Sequence, residues 1–229
     1  MLYNPFDPLF LILVVPAMLF SMWAQHKVQS SFRKYSQQQT SKRLTGAQAA
    51  RAVLNEAGVT GVEIEKVPGS LTDHFDPRTN VIRLSESVFD STSVAAVGVA
   101  AHEAGHAIQY ANKYVPIKLR AAIIPATNIG SKLSIPLVLI GLLMSMPGLI
   151  NIGILLFGTV VIFQLITLPV EFNASSRAIR ILDNSALLTR DEVPASRKVL
   201  TAAALTYVGA LAVSLAQLLR LVLLARGRR

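Results

Sequence analysis

Leu133-Ser-Ile-Pro-Leu-Val-Leu-Ile-Gly-Leu-Leu-Met-Ser-Met-Pro-Gly-Leu-Ile-Asn-Ile-Gly-Ile-Leu-Leu-Phe-Gly-Thr-Val-Val-Ile-Phe-Gln-Leu-Ile-Thr-Leu-Pro-Val170 contains no charged side chain. A helix crossing the hydrocarbon core needs about 20 apolar residues, so this run is long enough for two crossings. Pro147-Gly148 interrupts it and predicts a helical hairpin with a short turn. Its first span is predicted to begin earlier, near Ile123, with Lys132 near the inner end or buried against protein. Two more apolar stretches lie outside the hairpin. Phe6 to Ala24 is interrupted only by Asp7 and Ser21, and Ala202 to Leu219 lies near the C-terminus. No Lys or Arg precedes the first stretch, whereas Lys27, Arg33, Lys34, Lys42 and Arg43 follow it. That order predicts a retained anchor rather than a cleaved signal, kinked at Pro16.

The composition agrees with a membrane protein. Hydrophobic residues make up 52% of the 229 and mean hydropathy is +0.48, too apolar for an ordinary soluble domain of this length. The absence of cysteine excludes disulfides, iron–sulfur clusters and thiolate-bound zinc. A net charge of +9 raises the question of nucleic acid. The basic residues flank apolar segments, however, and form no patch interleaved with aromatics. They fit orientation in a bilayer and attraction to anionic lipid, and no nucleic-acid partner is expected.

Residues 26–118 are more polar and carry local structure signals. Thr45 with Gln48 forms a capping box, opening a helix that runs through Ala57 and stops at Gly58. Val62 to Val67 alternates apolar and polar residues, which predicts a strand. Pro68-Gly69 and Asp76-Pro77-Arg78-Thr79-Asn80 read as turns. Val81 to Leu84 is a second short strand. Asp90 or Ser91 is predicted to cap the next helix, which extends to about Asn112.

That helix contains Ala-Ala-His102-Glu103-Ala-Gly-His106-Ala. Residues i and i+4 share a helix face, so His102 and His106 can reach one metal ion, with Glu103 beside them to take a proton from water. This is the H-E-x-x-H arrangement of zinc peptidases. From Val94 to Ile108 no other side chain is ionisable, so none competes for metal or water. The concentration of three ionisable groups also argues that the helix does not face lipid. Catalytic zinc commonly takes a third protein ligand. The other histidines and any nearby carboxylate are open at this point, and His26 sits where the anchor leaves the membrane. Glu171 is the sharper choice, as the first acidic residue after the charge-free run and at the predicted start of a helix. Its competing role is an N-terminal carboxylate favoured by the helix dipole.

Three separated motifs, A-A-H-E-A-G-H-A-I-Q (100–109), L-T-D-H-F-D-P-R-T-N-V-I-R-L-S (71–85) and P-V-E-F-N-A-S-S-R-A (169–178), resemble the YugP-type membrane zinc metallopeptidases of bacteria. A-A-A-L-T-Y-V (202–208) fits as well, and the resemblance covers nearly the whole chain. That family is similar to the HtpX-type gluzincins, whose third ligand is a Glu in E-x-x-A-D after a transmembrane hairpin. The resemblance therefore implies Zn2+ held by His102, His106 and Glu171, and neutral zinc peptidase activity. The chain reads E-x-x-A-S, with Ser175 at the position where the HtpX group places an Asp that orients a metal histidine.

Taken together, these readings predict a mainly α membrane protein with about four transmembrane or membrane-embedded helices and a small α+β zincin-like cytoplasmic catalytic domain. The expected division is an anchor (1–25), an α+β part with the metal helix (26–118) and a hairpin (119–170). A helix with the third ligand (171–200) and a C-terminal membrane helix (201–229) complete it. Residues 27–132 and 171–198 hold 18 of the 22 Lys and Arg, which predicts that both face the cytoplasm at the bacterial inner membrane. A fourth full span would then export Arg226, Arg228 and Arg229, so the last helix is either an exception or re-entrant. The expected partners are a protein or peptide substrate and the bilayer, with a second copy or a regulatory membrane protein left open. In the expected chemistry Glu103 is the base, and His74, Asn173, Arg177 and Tyr207 are candidates to stabilise the oxyanion. Val81 to Leu84 is the sheet edge expected to pair with substrate. Two other readings compete. A site-2-type intramembrane protease needs a later L-D-G span, but this chain has Leu182-Asp183-Asn184 in a polar segment. A non-enzymatic assembly or quality-control factor with a structural zinc needs no base at Glu103.

Overall fold

A computed structural model describes residues 7–226 of the chain. One turn of π-helix, Phe10–Val14, leads into α1 (Val15–Ser36); it lies directly ahead of Pro16, whose ring and missing N–H perturb the preceding turn. Next come α2 (Gly46–Glu56), β1 (Glu63–Val67), β2 (His74–Asp76), β3 (Val81–Ser85) and the short α3 (Glu86–Phe89). The chain finishes with α4 (Val94–Ala111), α5 (Val115–Leu143), α6 (Pro147–Asn184) and α7 (Val193–Arg226). The π-helix with α1, and α5, α6 and α7, give four helices long and apolar enough to cross a membrane. The protein is thus a mainly α membrane protein with a small α+β part.

The chain forms two compact units. The first takes in the chain up to Ala24, Lys118–Leu168 and the chain from Leu205. Here the hairpin helices approach closely: a side chain at Gly153 would meet the Ser134 carbonyl oxygen at 2.7 Å. Small residues at such contacts are what membrane helices use in place of a hydrophobic drive. The turn falls at 144–146, with Ser145 in the left-handed region (φ +54°), and Pro147 begins α6. α5 starts at Val115, earlier than the sequence suggested, because Pro125 and the run around it continue the helix rather than break it. Large apolar side chains on these helices point outward, Leu155 being 75% exposed, as lipid-facing residues do. α7 runs beside α1 in the opposite sense: Gly209 packs on Ser21, and the buried Arg220 pairs with Asp7 at 2.7 Å.

The second unit comprises Gln25–Ile117 and Pro169–Ala204. The capping box of Thr45 and Gln48 is present, and Gly58 follows α2 at φ +67°. The sheet order is β1-β3-β2, with β3 parallel to β1 and antiparallel to β2. This corrects the expected edge: β3 is the central strand, paired on both sides. The apolar content of Val81-Ile82-Arg83-Leu84 already signalled burial on both faces. β2 was not expected; it lies ahead of the expected turn, sharing only Asp76 with it, and residues 77–80 do form that turn. Its backbone pairs His74 with Arg83 and Asp76 with Val81, and an edge tolerates such polar side chains.

Fourteen of the 18 residues of α4 are buried, which makes it a core helix and not a span. Its cap is Ser93, whose hydroxyl accepts from the Ala96 N–H, not Asp90 or Ser91. α3 uses up the residues just before, and the Ser91 hydroxyl donates to that of Ser93. The alanines of α4 pack with Leu54, Ile82, Leu84, Leu182 and Leu188 in one core. They are small enough for neighbouring helices to approach the backbone, which is how α4 meets α6.

Candidate metal centre

α4 and the later part of α6 cross where Gly105 faces Ala174. A Cβ at Gly105 would lie 2.6 Å from the Ala174 carbonyl oxygen, so only glycine allows this approach. On α4, His106 follows Gly105 directly and His102 lies three residues before it; on α6, Glu171 lies three residues before Ala174. The crossing therefore brings His102, His106 and Glu171 together, with one ligand atom from each within 4.8 Å of the others. Glu171 Oε2 is 3.2 Å from His102 Nε2 and 3.5 Å from His106 Nε2. Tetrahedral zinc with bonds of roughly 2.1 Å would hold its ligand atoms about 3.4 Å apart. The spacing fits that ion, and so does the donor set of two imidazoles and one carboxylate.

Glu171 is in the interior of α6, not at a helix start, because the helix continues through Pro169. The helix-dipole role for its carboxylate is thereby removed. It is 2% exposed, a burial that an isolated carboxylate tolerates only with a strong partner.

The other ring nitrogen of each histidine is also engaged. Ser175 Oγ lies 3.0 Å from His102 Nδ1, one turn along α6 from Glu171. Gln109 Oε1 lies 3.0 Å from His106 Nδ1. With Nδ1–H donating to these oxygens, each Nε2 is left with its lone pair towards the centre, the tautomer a metal needs. Gln109 is fully buried, and its Nε2 donates to the Val170 carbonyl (2.8 Å) and to Asn173 Oδ1 (3.0 Å). Arg177 Nε donates to the same Asn173 oxygen at 2.7 Å, and its guanidinium lies 5.8 Å from the Tyr114 ring centre. Arg177 thus bonds to Asn173 and stacks on Tyr114. When no metal occupies the centre, burial pulls the pKa of His106 down, but its bond with Glu171 and the nearby charges of Glu103 and Glu171 more than offset this and hold it above its ordinary value.

Glu103 is 8% exposed and makes no side-chain hydrogen bond among the described residues. His74 is exposed on β2, its Nδ1 held 2.8 Å from the Thr72 carbonyl oxygen. It is not among the residues grouped at the centre. Asn173 stands one shell out, with its oxygen already accepting two bonds. Tyr207 lies in the other compact unit. Gln109 was absent from the residues singled out by spacing, although it sits three after His106 on the same helix face, the one signal that could have found it.

Two histidines of one helix and a buried glutamate of a second, in a chain with four membrane-length helices, define a membrane protein with a hydrolase-type zinc centre. The chain belongs to the family described as "Putative neutral zinc metallopeptidase", which it matches over residues 10–226. It is similar to the "Putative membrane protease YugP" of Bacillus subtilis (strain 168), with 48% identity over 216 residues that cover 94% of this chain and 96% of that protein. No solved structure matches it. The protein is thus a membrane zinc metallopeptidase.

Proposed function

We propose that the protein is a gluzincin-type endopeptidase that cuts membrane or membrane-proximal proteins at the cytoplasmic face of the bacterial inner membrane. The observation that carries this reading is the pairing of a complete His-His-Glu donor set with an acid, Glu103, that no other side chain occupies. A purely structural zinc would need no such acid, so the hydrolytic reading is favoured over that of an assembly factor. His102, His106 and Glu171 would hold the zinc, whose Lewis acidity lowers the pKa of water and polarises a carbonyl. Glu103 takes the proton of the attacking water and returns it to the departing amine. Ser175 and Gln109 keep the two imidazoles in their working tautomer and orientation. β2, one of the two edge strands, would take an extended peptide in place of β3. His74 and Asn173 enter this scheme only at a distance, His74 beside the peptide and Asn173 as the support of Gln109.

The orientation rests on the Lys and Arg distribution. The antiparallel course of α7 beside α1, with Arg220 bonded to Asp7, supports a full fourth span, so the C-terminal arginines are an exception to the rule. A chain without cysteine allows a direct test by single introduced thiols. With a membrane-impermeant maleimide on intact cells, Ser145→Cys should label and Arg190→Cys should not; the reverse pattern overturns the cytoplasmic assignment. Activity is tested with one reporter sequence in a membrane-anchored and a soluble form. The anchored form should be cut by wild type and spared by Glu103→Gln. Equal cutting of both forms would remove the restriction to membrane-proximal substrates.

A further inference from the structure

A cavity of about 420 Å3 opens between the later part of α6 and the first turns of α7, inside the second unit. Its lining changes character along its length. At one end are Phe172, 47% exposed, and Ala204; at the other are Arg180, Asn184 and Arg197, with Asp183 beside them. Neither arginine makes an ion pair or side-chain hydrogen bond among the described residues, and Asp183 bonds to neither. Arg180 and Arg197 are exposed and line one cavity with neither paired to a carboxylate, a combination that suits an oxyanion able to accept several N–H bonds.

The position along the chain says which oxyanion. The charge-free run ends at Val170 and the next apolar run begins at Ala202, so the Phe172 and Ala204 end stands at the border of apolar sequence. From Phe172 to Arg180 the helix rises about 12 Å, and arginine side chains reach back several ångströms along their stems. Counted along the helix from the end of the apolar run, that net distance matches the ~5–7 Å polar layer outside the hydrocarbon core, where lipid phosphates lie. Charge balance points the same way: the two arginines and Asp183 leave one positive charge, which one phosphate diester neutralises.

We infer that this cavity binds the headgroup of an anionic phospholipid, with the phosphate between Arg180 and Arg197 and the acyl chains leaving past Phe172. The cavity contains none of the three metal donors, although Ser175, which also bonds to His102, lines it, and the inference does not depend on the peptidase reading. The test uses the full chain in a neutral maltoside detergent, with phosphatidylglycerol or phosphatidylcholine added and bound lipid counted by native mass spectrometry. Wild type should retain phosphatidylglycerol at least about tenfold more tightly than phosphatidylcholine. Arg180→Gln/Arg197→Gln should lose that preference. Arg190→Gln/Lys198→Gln, which removes the same charge outside the cavity, should keep it; a matching loss there would reduce the effect to general surface charge and overturn the site. Equal retention in the cavity variant would overturn it as well. Inorganic phosphate displacing the lipid at millimolar concentration would show a free-phosphate site and overturn the lipid assignment. Unchanged zinc content in the cavity variant confirms that the protein measured is folded.

Discussion

Gln109 shows how one buried side chain can set a metal centre without touching the metal. It accepts from His106 and donates to Val170 and Asn173, so it ties the α4 histidine to the same stretch of α6 that supplies Glu171. Replacing it by leucine keeps the volume but leaves the buried His106 Nδ1–H without its acceptor and frees the imidazole. Gln109→Leu should cost about 1–3 kcal/mol of stability and weaken zinc binding about 10–100-fold, read by competition with a chelator of known affinity. Unchanged affinity would reduce Gln109 to a packing residue. Glu192 makes a comparable case outside the centre. Its carboxylate accepts from the Ser41 N–H and hydroxyl at 2.6 and 2.7 Å and from the Thr189 N–H at 2.8 Å. Burial raises its pKa, but these bonds outweigh burial and hold it below the usual glutamate value of 4.5. A depressed folded-state pKa stabilises the protein above the unfolded value, and the gain is lost as pH falls through the folded one. Glu192→Gln should therefore lower the melting temperature at neutral pH by roughly 2–6 °C. The gap from wild type should close as the pH drops below 4.5. A gap independent of pH would mean that the carboxylate's charge is irrelevant.

At the scale of elements, the close crossing of α4 and α6 turns two separated motifs into one site. Gly105→Val would push against the Ala174 backbone, where a side-chain adjustment cannot relieve the overlap. It should cost about 1–3 kcal/mol and lower zinc affinity, because Glu171 moves with Ala174 away from the histidines. Normal zinc affinity in a folded Gly105→Val protein would show that the crossing does not set the ligand geometry. Much of this element level was legible in the sequence. The charge-free run, the capping box at Thr45 and the i, i+4 histidines each act through neighbours in sequence, so spacing reveals them. β2 and the centrality of β3 were hidden because strand order depends on backbone pairing between distant residues. Glu171 was singled out from the sequence and lies beside both histidines, but its helix was read as starting too late. Pro169 normally marks a boundary in a soluble helix; in an apolar helix with packed neighbours it is tolerated. Ser175 and Gln109 touch their histidines through tertiary packing, which no single helical period encodes.

For the whole molecule, a metal held at this centre would join two parts of the chain that lie 65 residues apart between His106 and Glu171. Without it, a buried carboxylate and two imidazoles remain close together with less compensation. Chelation should therefore lower the melting temperature of wild type and leave Glu171→Ala unchanged; equal shifts in both would place the stabilising metal elsewhere. The central claim is that His102, His106 and Glu171 are one zinc site served by Glu103. The most direct test is zinc content by elemental analysis alongside casein hydrolysis, for wild type, Glu103→Gln and Glu171→Ala. The predicted result is about one zinc per chain in wild type and in Glu103→Gln, with hydrolysis only in wild type and zinc lost from Glu171→Ala. Full zinc occupancy in Glu171→Ala, or undiminished hydrolysis by Glu103→Gln, would contradict it.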